Sequence, residues 1–84
     1  MNTLNHSNDL KDAQLINLIS RVLNIEEEKI DDQLSRDTTE EWDSFNHLLL
    51  ISEIERNMKI RFALSDVEQI KTFKQLKELI SKKK

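Results

Sequence analysis

The amino-acid sequence predicts an all-α fold, a small four-helix bundle with three longer helices and one short one. Three observations predict it. The 84 residues contain no Gly, Pro or Tyr, and β-hairpin turns ordinarily draw on Gly or Pro. Apolar residues recur at helical steps in three separate windows, as they do on one face of an amphipathic helix. Two capping-box spacings, Ser65 with Glu68 and Thr72 with Gln75, mark helix starts late in the chain. This length has room for one domain, residues 1–84, around one small core. Residues 1–8 and 81–84 are expected to be flexible tails.

The first helix is expected over Asp9 to Leu23, with Leu15, Ile16, Ile19, Val22 and Leu23 on its inward face. Asn24 then stands where a helix ends in a left-handed residue, and Asn is the best substitute for Gly there. Residues 25–42 form a long loop whose spaced apolar residues Ile25, Ile30, Leu34 and Trp42 are expected to anchor it to the core. The second helix should run from Ser44 to about Asn57. Phe45, Leu48, Leu49, Ile51, Ile54 and Met58, widened by Leu50, give it more apolar surface than one face needs. One of Leu48 and Leu49 is expected in the core. Ile60, Phe62 and Leu64 alternate with Arg61 and Ala63, an extended link. A short third helix should start at Ser65, and a fourth near Thr72 with Phe73, Leu76, Leu79 and Ile80 facing inward.

Charge is unevenly placed. Residues 26–43 hold nine acids against Lys29 and Arg36, a net of −7, whereas residues 71–84 hold six lysines against Glu78, a net of +5. Basic charge confined to one terminal helix is not a nucleic-acid footprint; it suits the negative end of a helix dipole. No run approaches the roughly 18 apolar residues of a membrane span. Met1 to Asn8 lacks the apolar core of a signal peptide. A cytoplasmic, monomeric protein with no membrane insertion is therefore expected. The absence of Cys excludes disulfides and thiolate metal sites. The acids over 26–32 lack the alternating pattern and turn Gly of a calcium loop.

The run Glu41-Trp42-Asp43-Ser44-Phe45 is the most informative stretch. Asp43 is a good N-cap, and Ser44 falls in the first helical turn, where a hydroxyl is exposed and a phosphate is favoured. A Ser-His-Asp hydrolase is the obvious test, since His47 follows by three residues. There is no Gly-flanked elbow and too little chain for a substrate pocket. Asp43 is placed to cap the helix rather than to orient His47. His47 also has no partner for a metal and is expected on the surface. Ser44 therefore reads as a substrate for another enzyme's chemistry, and the chain as a non-enzyme.

The Asp43-Ser44-Phe45 run resembles the modification site of acyl and peptidyl carrier proteins, the phosphopantetheine-binding family, where Asp-Ser-Leu is usual. The order of helix, long loop, serine-headed helix, short helix and final helix extends that resemblance over Leu15 to Ile80. Asn24 stands where these proteins commonly have Gly, and Ile60-Arg61-Phe62 where they commonly show an Ile-Glu-Ile type segment. The resemblance implies an acyl-carrier-like fold with a long loop between helices 1 and 2. It implies 4'-phosphopantetheine, covalently attached to Ser44 from coenzyme A by a phosphopantetheinyl transferase, making the chain a phosphoprotein. Asp43 would contact that transferase. Phe45, Leu48, Leu49 and Ser52, with Glu55 and Arg56 lower on the helix, would form the partner-docking face. The arm would supply the thiol that this chain lacks and carry acyl or aminoacyl thioesters. Partners would be a loading ligase and downstream transferases of fatty acid or secondary metabolite biosynthesis.

The departures are Trp42, where many fatty-acid carriers have Gly, and a second helix that mixes Glu53 and Glu55 with Arg56, His47 and Asn46. Such a helix weakens long-range steering toward basic patches. On that ground the chain looks more like a discrete carrier of a specialised pathway, such as a D-alanyl or aminoacyl carrier. The alternative is a carrier-like adaptor that is never modified and acts through protein–protein contacts.

Overall fold

The computed structural model describes the backbone of residues 3–83 and the side chains of residues 12–83. Four helices follow one another: α1 (Thr3–Leu23), α2 (Ser44–Met58), α3 (Leu64–Gln69) and α4 (Phe73–Lys82), with a 3-10 turn at Glu27–Lys29 inside the long loop. The expected all-α, four-helix architecture is observed. α1 begins earlier than Asp9, because no Gly or Pro interrupts the polar residues ahead of it. Of the two segments expected to be flexible tails, residues 1, 2 and 84 lie outside the described residues, and Thr3 onward is helical backbone.

One core joins all four helices. α1 contributes Leu15, Leu18, Ile19 and Leu23, and α2 contributes Leu50, Ile51 and Ile54. Val67 comes from α3, Ile70 from just beyond it, and Phe73, Leu76 and Ile80 from α4. Ile16 and Val22 are only half-buried, while Leu18 takes a central place that the expected α1 face omitted. The long loop is pinned to this core by Ile30 and Trp42, with Ile25 and Leu34 packed at its margin. Ser20 Oγ donates to the Ile25 carbonyl at 2.6 Å, tying the start of the loop to α1.

The helix ends follow their local chemistry. Asn24 closes α1 at φ 59°, as the sequence predicts, and Lys59 closes α2 at φ 58°. A lysine in that left-handed conformation carries a steric cost that Gly would not. Thr72 caps α4 with a full capping box: its Oγ1 accepts from Gln75 N–H at 3.1 Å, and Gln75 Oε1 accepts from Thr72 N–H at 3.1 Å. α3 departs from expectation. It begins at Leu64, and the cap bond is Ala63 N–H to Asp66 Oδ2 at 3.1 Å, not one from the Ser65 and Glu68 pair. Asp66 sits in the first turn, where a carboxylate complements the positive end of the helix, and this sets the start one residue early.

Candidate functional site

The site is built at the start of α2. Trp42 N–H donates to the Thr39 carbonyl at 3.0 Å, turning the loop into the helix. Asp43 is extended (φ −87°, ψ −178°), and its Oδ1 accepts from Asn46 N–H at 2.8 Å. Its carbonyl accepts the first helical bond from His47 N–H, also at 2.8 Å. Asn46 Nδ2 reaches back to the Glu41 carbonyl at 2.8 Å. The backbone around Ser44 is thus held on both sides, while its side chain is exposed. The N–H groups of Ser44 and Phe45 open the helix without intrahelical acceptors, which leaves a positive end suited to phosphate.

His47 is not on the surface. It is 3 % exposed, and both ring nitrogens are engaged: Trp42 Nε1 donates to Nδ1 at 3.0 Å, and Nε2 lies 2.8 Å from the Val67 carbonyl. The expectation of a surface residue fails because His47 shares a helical stripe with Leu50, Ile51 and Ile54, and that stripe faces the core. Burial pushes its pKa below the ordinary imidazole value, and the Arg36 charge pushes the same way against the Val67 carbonyl. With both nitrogens occupied, the ring has none to act as base for Ser44. A Ser-His hydrolytic pair is therefore absent despite its sequence spacing.

The same register settles Leu48 and Leu49. With the core stripe running through positions 47, 50, 51 and 54, neither leucine is core: Leu48 is 59 % and Leu49 41 % exposed. The expectation that one of them packs inside is corrected on that ground. Phe45 is 73 % exposed, and Ser52 shares the stripe defined by Phe45, Leu48 and Leu49 at helical spacing. Arg56 is exposed and pairs with Glu53. Glu55 is half-buried, and its Oε2 accepts from Phe62 N–H at 2.9 Å, so its carboxylate also holds the link after α2. Leu64, at the start of α3, is 71 % exposed.

An open cleft of about 320 Å³ runs beside the serine, lined by Arg36, Asp37, Trp42, Asp43, Ser44 and Lys71. Arg36 and Lys71 had no place in the sequence-based site. They are far apart in the chain, and only the antiparallel bridge between Ser35 and Thr72 brings them together. A second open cleft of about 410 Å³, lined among others by Asn17, Arg21, Asn57 and Met58, lies at the far end of α2 from Ser44. Among the described residues, no cluster of His, Asp and Glu is arranged to hold a metal ion, and no helix is long and apolar enough to cross a membrane.

The helical domain presents the Ser44 hydroxyl at a capped helix start, beside the exposed apolar stripe of Phe45, Leu48 and Leu49. The pattern that defines the phosphopantetheine attachment site family matches residues 13–80, and the chain belongs to that family. Among solved structures, it is similar to the solution NMR structure of the holo acyl carrier protein from Geobacter metallireducens, with a TM-score of 0.76 and 28 % identity over 84 % of this chain and 82 % of that one. No curated protein matches the chain significantly. The protein is a non-catalytic carrier that moves acyl groups on a phosphopantetheine arm, and it works with a phosphopantetheinyl transferase and acyl-handling enzymes.

Proposed function

We propose that Ser44 is the residue that bears the arm. In the loading step, Ser44 Oγ would form a bond to the phosphorus next to pantetheine in coenzyme A. The bond from that phosphorus to the bridging oxygen breaks, the nucleotide half leaves as adenosine 3',5'-bisphosphate, and the serine proton passes to a base on the transferase. The observation that carries this reading is the exposed Ser44 hydroxyl on a backbone held by the Asp43 cap and Asn46, inside the span matched by the family. Asp43 acts as the cap that presents the serine and as a contact for the transferase.

Phe45, Leu48, Leu49 and Ser52, with Glu55 and Arg56, form the face that docks the transferase, a loading ligase and downstream transferases. The face is more apolar than acidic, which supports short-range contact over charge steering. That balance favours an aminoacyl or D-alanyl cargo of a specialised pathway over a housekeeping fatty acid, with the carrier acting as a monomer in the cytoplasm. The test is intact-protein mass after incubation with coenzyme A, magnesium and a broad-specificity phosphopantetheinyl transferase. A gain of one phosphopantetheine unit, lost in Ser44→Ala, is expected. A gain that persists in the variant would place the arm elsewhere, and no gain on folded protein would leave the unmodified adaptor.

A further inference from the structure

The loop and the α3–α4 junction meet in a single antiparallel bridge, Ser35 with Thr72. Arg36 N–H donates to the Lys71 carbonyl at 2.9 Å, and Phe73 N–H donates to the Leu34 carbonyl at 3.0 Å. This register sets Arg36 across from Lys71. Neither residue is in an ion pair among the described residues, whereas Lys77 of α4 and Lys83 just beyond it pair with Asp32 and Asp66. Arg36 Nη1 donates to the Ile70 carbonyl at 3.3 Å, which steadies the side chain and leaves its other N–H groups available.

Both cations line the cleft that contains Ser44. Two carboxylates line it as well. Asp43 Oδ1 is engaged by Asn46 N–H, and Asp37 stands as the opposing charge. The backbone register therefore sets two cations on one cleft, beside an exposed hydroxyl at the positive end of a helix. An anion on that hydroxyl would meet both cations.

We propose that Arg36 and Lys71 form a cationic clamp for the phosphodiester that joins the arm to Ser44. The proposal rests on the attachment at Ser44 proposed above. A phosphodiester keeps one negative charge and two free oxygens. A guanidinium fork can hold both oxygens, and an ammonium adds a point charge. Anchored there, the first atoms of the arm lie on the loop side of α2. Phe45, Leu48 and Leu49 do not line the cleft, so the apolar stripe stays open to a partner.

The test compares apo and holo forms of the wild-type chain, Arg36→Gln/Lys71→Gln and Asp37→Asn. Loading is verified by mass before anything else is read. Thermal midpoints and the 31P line of the phosphodiester are then measured at low and high sodium chloride. In the wild type, loading is expected to raise the midpoint at low salt, with a 31P line as broad as the tumbling of the whole protein demands. High salt should shrink the gain, because charges near the surface are screened. The double variant should lose the gain and narrow the line, while Asp37→Asn should enlarge the gain. Each variant is judged against its own apo form, so a general loss of stability cancels. Equal gains and equal line widths in wild type and double variant would overturn the clamp and leave the attachment intact. A wild-type chain that gains no mass would overturn both.

Discussion

Trp42 Nε1 donates to His47 Nδ1 at 3.0 Å across the turn that carries Ser44. An indole nitrogen can only donate, so the bond assigns the imidazole proton to Nε2. That proton is then donated to the Val67 carbonyl at 2.8 Å. One neutral ring thereby joins the loop, α2 and α3, and a proton added at Nδ1 would set donor against donor.

Stability should accordingly depend on pH in a defined direction. The folded-state pKa of His47 lies below the ordinary 6.5 because of burial, so the unfolded chain binds the extra proton first. The stability this gives is fully present above that value and falls as pH drops below it toward the folded pKa. Urea titrations through this range should show the fall, and His47→Gln should flatten it. Asp66 titrates in a separate window. Its carboxyl is held below 3.8, first by Ala63 N–H and then by Lys83, so its contribution persists until the pH falls further.

Removing His47 altogether should be costly. His47→Ala leaves the indole N–H and the Val67 carbonyl buried without partners, a loss of about 3 kcal/mol in chemical denaturation. Trp42→Phe removes the donor to Nδ1 together with part of a buried ring, and should cost about 2–3 kcal/mol. It should also raise the His47 pKa, read from the ring-proton NMR titration, since a freed Nδ1 accepts a proton more readily. An unchanged titration in Trp42→Phe would contradict the assigned tautomer.

The two stripes of α2 should separate stability from recognition. Leu50 is fully buried, and Leu50→Ala should destabilise the fold by about 3 kcal/mol. Leu48→Ser should stay within about 0.5 kcal/mol of the parent. Its expected effect is a raised KM of the phosphopantetheinyl transferase for the carrier. A large stability loss in Leu48→Ser would refute the register described here.

α3 should be the least protected element. It is one six-residue helix with Val67 as its buried side chain, held to α2 through the His47 ring. Native-state hydrogen exchange should find its amides faster than those of the buried turns of α1. In His47→Ala the difference should widen.

Lys59 offers a test of backbone strain. Its left-handed conformation disfavours any residue with a Cβ, so Lys59→Gly should stabilise the chain by up to about 1 kcal/mol despite the entropy that glycine adds to the unfolded state. A destabilised variant would mean that the lysine side chain contributes more than the strain costs.

Much of this molecule was legible because its signals are local. The capped serine at the head of α2 follows from Asp43 and the apolar run behind it. The α4 start follows from Thr72 and Gln75, and the left-handed end of α1 from Asn24. The misreadings also have a common origin. His47 takes a place in the core stripe of α2, and the same register leaves both Leu48 and Leu49 outside it. The signal that could have corrected this was the spacing of His47 to Leu50, Ile51 and Ile54.

The sequence by itself determined the helical class, the order of the elements, the family resemblance and the serine on display. These depend on periodicity and capping, which act within a few residues. Tertiary structure decided what makes the burial of His47 tolerable, because only the packed fold brings the Trp42 donor and the Val67 acceptor to its two ring nitrogens. It also placed Arg36 and Lys71 beside Ser44, through a bridge between segments distant in the chain. Such pairings depend on the packed core, and no local pattern encodes which polar groups will meet across it.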